Sequence, residues 1–182
     1  MTLTIYGDFN CPFSALASAR ADVLLARGSH KIEWRAIQHD TTIPPAGEPV
    51  DGDTALALET EVATILELSQ QGLRLHLVVP PIRSNTALAS TAFAAAGHDA
   101  DRLRGRLFAA VWAEGRNLGN PAELHRLEAD GRDVDVARRW QTEFEALPRP
   151  ITPTVVLPDG YVSRGLGALA RLADLANAVP TS

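Results

Sequence analysis

The sequence predicts a mixed α/β fold: a four-stranded sheet with helices on both faces and an all-helical insertion between the second and third strands. Three observations lead there. Residues 2–36 read strand, helix, strand; the long central stretch carries helical periodicity; and the chain closes strand, strand, helix.

Leu3 and Ile5 alternate with Thr2, Thr4 and Tyr6, a period-two pattern that ends the first strand at Gly7. From Pro12 the residues Phe13, Leu16, Ala17, Ala21, Val23 and Leu24 fall at helical spacings. Pro12 suits the first helical position, where its missing N–H costs nothing, and Gly28 stands where a left-handed cap favours glycine. Ile32, Trp34 and Ala36 then alternate with Lys31, Glu33 and Arg35, a second strand reached by a right-handed crossover.

The central part opens with the polar, proline-rich "TTIPPAGEPVDGD", whose Asp53 is a capping candidate. Leu58, Val62, Ile65 and Leu66 form one apolar stripe, and Gly72 is expected to close that helix. "LRLHLVVPPI" reads as an extended connector. An alanine-rich helix starts near Ser84 to Thr86 and stops at Gly97, and the next turns Leu103, Leu107, Ala110 and Val111 inward. Asn120, Pro121 and Glu123 combine an N-cap, a first-position proline and a glutamate placed to reach back. A further helix runs from Asp133 through Ala137, Trp140, Phe144 and Leu147 until Pro148 and Pro150.

Thr154 to Leu157 is the third strand, Pro158 to Gly160 a turn, and Tyr161 to Arg164 the fourth strand. Leu169, Leu172, Ala173 and Ala176 line the last helix. The expected organisation is a discontinuous sheet-bearing domain, 1–39 with 150–182, around an inserted helical domain, 40–149.

Composition narrows the function. At 182 residues the chain fits one compact unit, and its net charge of −5 comes without any Lys/Arg cluster that tracks phosphates, so no nucleic-acid partner is expected. Arg102, Arg104, Arg106, Arg132, Arg138 and Arg139 are interleaved with acids and expected to coat helix faces. "MTLTIYGDF" lacks a secretory pattern and no long apolar run exists, which predicts a cytoplasmic protein without membrane contact. The sequence leaves a homo-oligomer open without indicating one. One cysteine excludes an intrachain disulfide, and His30, His39, His76, His98 and His125 show no zinc-ligand spacing, so no metal is expected. Gly165, Gly167 and Ala170 mimic a dinucleotide fingerprint, but no later strand or ribose-binding acid follows them.

The chemistry concentrates in "GDFNCPFS", Gly7 to Ser14. Cys11 stands between the first strand and the first helix, where free N–H groups and the helix dipole favour a thiolate. Such placements lower a thiol pKa from about 8.5 to roughly 3.5–7.5. Asp8 opposes this where its charge points inward. The plainer reading of a lone cysteine is a small buried hydrophobe, though a strand-to-helix junction followed by proline is an unusual place for one. Ser14, one helical turn on, either donates a hydrogen bond to the sulfur or is an ordinary first-turn serine. Thr152 is biased toward extended geometry by Pro153, and a cis bond there would leave its backbone free to pair with a peptide or a thiol cofactor. His39 is placed to approach the site, though nothing in its spacing requires it.

"DFNCPFS" followed by an apolar helix resembles the Cys-Pro-x-Cys loop of the DsbA family of thioredoxin-fold proteins, and "ITPT", Ile151 to Thr154, resembles that family's cis-proline loop. "PPIRSNTALASTAFAAAG" is similar to a helix start in the cytoplasmic FrnE-like and 2-hydroxychromene-2-carboxylate isomerase branches. The resemblance spans the chain in element order. It implies a thioredoxin-like fold, βαβ-ββα with a helical insertion, and a cis-proline at Pro153 facing Cys11. It also implies Cys11 and Ser14 as catalytic residues, with Pro12, Phe13, Thr152 and Pro153 binding substrate.

The family's second cysteine corresponds here to Ser14, so the chain cannot hold its own active-site disulfide. What the resemblance then implies is a monothiol oxidoreductase acting on a small thiol or a protein disulfide. It has no tightly bound cofactor, and glutathione or another low-molecular-weight thiol resolves the mixed disulfide. One alternative is a glutathione-dependent isomerase or transferase resembling 2-hydroxychromene-2-carboxylate isomerase and the kappa-class transferases. In those a serine commonly takes the Cys11 position, and an acid stands where "RGLGALAR" offers Gly167 and Ala168. Another is a non-catalytic binding protein that kept the fold.

Overall fold

A computed structural model describes residues 1–69, 73 and 75–177. Strand β1 (Thr2–Gly7), helix α1 (Pro12–Ala26) and strand β2 (Lys31–Ala36) form the amino-terminal unit. α1 begins on its proline, with Cys11 as N-cap, and Gly28 follows its end at φ +64°. β1 and β2 pair in parallel, Ile5 opposite Trp34. After the helical region, β5 (Thr154–Val156) joins β1 antiparallel, Ile5 opposite Val155, and β6 (Val162–Arg164) pairs with β5. The sheet order is β2-β1-β5-β6, and α7 (Leu166–Asn177) closes the described chain. The predicted four-stranded mixed α/β fold is present.

Between β2 and β5 run α2 (Gly52–Ser69), α3 (Ala87–Ala94), α4 (Ala100–Trp112), α5 (Pro121–Arg126) and α6 (Val134–Glu145). α2 starts one residue before Asp53, which therefore occupies the first turn. Gly72, the expected end of that helix, lies outside the described residues. Asn120 caps α5 by accepting from the Ala122 N–H at 3.0 Å. Glu123 turns instead to Arg126 at 2.5 Å and Arg116 at 3.7 Å, so cation pairing displaces the reciprocal cap. Two elements escaped the sequence reading: β3 (Glu48–Pro49), within a segment read as a loop, and β4 (Ile82–Arg83), at the end of one read as an extended connector, form a two-stranded ladder. Two residues are too short to show any period.

One arginine departs from the expected surface role. Arg104 is wholly buried between α4 and α1, donating to Ser18 Oγ at 3.0 Å and to Asp101 at 2.5 Å, and pairing also with Asp22. Its guanidinium lies 5.4 Å from the Trp34 ring centre. Two carboxylates, a hydroxyl and an aromatic face together make burial of this cation tolerable.

Most of the apolar core is one cluster, beside a small second one of Tyr6, Ile37 and Phe144. Leu3 and Ile5 from β1, Leu16 and Leu24 from α1, Leu107 and Val111 from α4 and Leu172 from α7 belong to one cluster. Sheet and helical region thus share an interior. Gly7 leaves room for the Trp34 ring of the neighbouring strand, because a Cβ there would overlap it.

Candidate functional site

Cys11 has extended backbone geometry, φ −102° and ψ 118°, and its N–H donates to the Asp8 carbonyl at 3.0 Å. The residue is half-buried, with Sγ 3.8 Å from the Thr152 carbonyl oxygen. Ser14 is wholly buried one turn deeper, and its Oγ accepts from the Asp8 N–H at 3.4 Å. The Thr152–Pro153 bond is cis. Its loop is held by Gly165 N–H on the Pro153 carbonyl at 2.8 Å and by the Thr154 hydroxyl on the Ile151 carbonyl at 2.6 Å.

An open cavity of about 640 Å³ lies in front of the sulfur. Cys11, Pro12, Phe13 and Thr152 form one wall, while Asp53, Ala57, Leu58 and Glu61 of α2 face them. His39, Asp40 and Arg83 also line it, as do the exposed Ile151 and Leu166. Cys11, Pro12, Phe13 and Thr152 of the predicted set are therefore brought together. Ser14 and Pro153 are buried and do not line the cavity.

The loop that carries the thiol is tied to the helical region. The Asp8 carboxylate accepts from Asn10 N–H at 2.9 Å and Thr86 Oγ1 at 2.9 Å through Oδ1, and from His39 N–H at 2.8 Å through Oδ2. Trp112 donates its indole N–H to the Phe9 carbonyl at 2.9 Å. The Asn10 side chain pairs with both backbone groups of Ser84, whose hydroxyl accepts from Leu118 N–H at 3.0 Å.

This environment corrects the expected acidity of Cys11. Burial pushes the thiol up and outweighs the hydrogen bonds from Thr152 and Ser14 that pull it down; the inward-pointing Asp8 charge adds to the rise. Asp8 itself is pushed up by burial, against the pull of its hydrogen-bond donors. The helix end alone predicts the opposite sign, because sequence position reveals the dipole but not the desolvation.

The family model of the DSBA-like thioredoxin domain matches residues 2–144, well over half of the chain. The chain belongs to this DSBA-like family. None of the curated proteins matches it in sequence. Among solved structures, it is similar to a probable DsbA oxidoreductase from Streptomyces coelicolor, with TM-score 0.73 and 17% identity over 100% of this chain and 93% of that one. It is also similar to the cytosolic disulfide reductase DsbM from Pseudomonas aeruginosa with GSH (TM-score 0.66, 18% identity, 97% and 96% covered). A 2-hydroxychromene-2-carboxylate isomerase shares the fold at TM-score 0.62 and 20% identity, over 96% and 97% of the chains. At these identities the structures establish the fold.

In this DSBA-like domain the sequence reading missed Asn10, Glu61 and Arg83. Glu61 had a usable signal: with Asp53 and Ala57 it follows i, i+4 spacing, which lines one helix face. Asn10 and Arg83 act through contacts far along the chain and had none. Among the described residues no three His, Cys, Asp or Glu side chains gather as metal ligands, and no helix is long and apolar enough to cross a membrane.

Proposed function

We propose that this DsbA-like protein is a thiol-disulfide oxidoreductase working as a monothiol through Cys11. The observation that carries the reading is the pairing of one sulfur, opening on a cavity at the head of α1, with a buried hydroxyl at Ser14. The Cys11 thiolate attacks one sulfur of a disulfide; a new S–S bond forms, the old one breaks, and the leaving thiolate takes up a proton. Cys11 is oxidised and the departing half reduced. An external low-molecular-weight thiol, glutathione among the candidates, then attacks the mixed disulfide and returns Cys11 to the thiol. A neighbouring fold is a disulfide reductase described with GSH, which supports such a co-substrate.

Ser14 donates to the developing charge on sulfur, and the Thr152 backbone at the Pro153 turn aligns the incoming group beside Pro12 and Phe13. The segments 1–39 and 150–182 carry the sulfur and the turn, while 40–149 supplies the opposite wall. A continuing supply of thiol suits a reducing, cytoplasmic setting.

Cys11→Ser tests the assignment. A hydroxyl cannot form a mixed disulfide, so reduction of small disulfides should vanish. Ser14→Cys should create an intramolecular disulfide that titrates with a redox buffer. A Cys11→Ser protein with undiminished turnover of a thiol-dependent substrate would overturn the reading in favour of the isomerase or transferase alternative, where the residue only orients a bound thiol.

A further inference from the structure

The charges around the cavity are unbalanced. Asp53 and Glu61 sit two turns apart on the same face of α2, with Ala57 between them, and both line the space in front of Cys11. Among the described residues Arg83 is the single arginine of the lining, and it is shared by Asp40 at 2.9 Å and Glu48 at 3.3 Å, so its guanidinium is already matched by two carboxylates. Glu61 is half-buried and, among the described residues, has no hydrogen-bond or ion-pair partner. Loss of water pushes its carboxyl up, and Arg83 offsets that only in part. A cleft lined by one sign of charge concentrates counter-ions and repels like charge.

We propose that the Asp53 and Glu61 carboxylates make the cavity selective for disulfides bearing an amine or other cationic group over anionic ones. This rests on the monothiol reading and names the substrate class of the same site. An ammonium group in the cavity would give Glu61 the partner it lacks. A strongly anionic disulfide would bring carboxylates that, among the described residues of the lining, find one guanidinium, already engaged.

The test uses the whole protein and four probes: cystamine (cationic), 2-hydroxyethyl disulfide (neutral), dithiodiglycolate (anionic) and glutathione disulfide. Intact mass follows formation of the Cys11 mixed disulfide with each, and every rate is divided by that of a small free thiol with the same probe. The expected order is cationic, then neutral, then anionic. Rising salt should slow cystamine and speed dithiodiglycolate. In the Asp53→Asn/Glu61→Gln double variant the cystamine-to-hydroxyethyl ratio should fall by about two- to fivefold for each charge removed. An anionic probe reacting as fast as cystamine, or a ratio that survives in the double variant, overturns the selectivity but leaves the monothiol reading standing. Failure of all four probes to react overturns both.

Discussion

Asn10 and Ser84, separated by 74 positions, exchange two hydrogen bonds: Asn10 Nδ2 donates to the Ser84 carbonyl at 2.8 Å, and Ser84 N–H donates to Asn10 Oδ1 at 3.1 Å. The residue next to the thiol is thereby held by the chain just before α3. Asn10→Ala removes both bonds and leaves two backbone groups of a buried residue without partners. It should cost about 2–6 kcal/mol, measured by chemical denaturation, since each of the two unsatisfied buried groups costs about 1–3 kcal/mol. Unchanged stability would show that water replaces the clamp at no cost.

Asp8→Asn should separate charge from architecture. Without the Asp8 charge, the inflection of Cys11 alkylation against pH should move down. An amide cannot accept from all three donors that Asp8 satisfies, so stability should drop by about 1–3 kcal/mol. Because burial raises the Asp8 pKa, the folded state holds this proton to higher pH than the unfolded chain. Asp8 therefore withdraws stability as pH rises from the ordinary carboxylate range through its folded value. That slope should be missing from the variant's denaturation profile.

Alkylation of native Cys11 by iodoacetamide should rise with pH and show its inflection above that of a free thiol, as burial dictates. Ser14→Ala deletes a hydrogen bond that favours the thiolate, and should shift the inflection further up and slow labelling at neutral pH. A downward shift would mean that Ser14 stabilises the thiol rather than the thiolate.

Gly7→Ala places a methyl group into the Trp34 ring. Overpacking of this kind costs about 1–3 kcal/mol, and because Gly7 immediately precedes Asp8 the labelling rate of Cys11 should change with it. Thermal unfolding and alkylation measured on one sample check both.

What was legible in the sequence follows a simple division. β1, α1 and β2 announce themselves through alternation, through Pro12 at a helix start and through Gly28 at its end, because each signal needs only neighbours in the chain. Cys11 could be singled out for the same reason, while Pro12 and Phe13 were placed at the site through the family resemblance of their loop. The rest is non-local. The pairing of Glu48 with Arg83, the burial of Arg104 against Asp22 and the three donors around Asp8 join distant segments, and no local pattern encodes their meeting. The sign of the Cys11 shift failed on the same ground, since burial is contributed by residues that reach the sulfur only after the chain has folded.

The contacts that surround Cys11 also order events during synthesis. They span 74 positions to Ser84 from Asn10, 103 to Trp112 from Phe9 and 141 to Thr152 from Cys11 itself. A nascent chain presents Cys11 well before it has made the residues that complete the sulfur's surroundings. Until Thr152 leaves the ribosome, the sulfur lacks the Thr152 carbonyl that it meets in the folded protein. The thiol is in this sense a built-in reporter of maturation, and its labelling rate on stalled chains of graded length would time the assembly of the site.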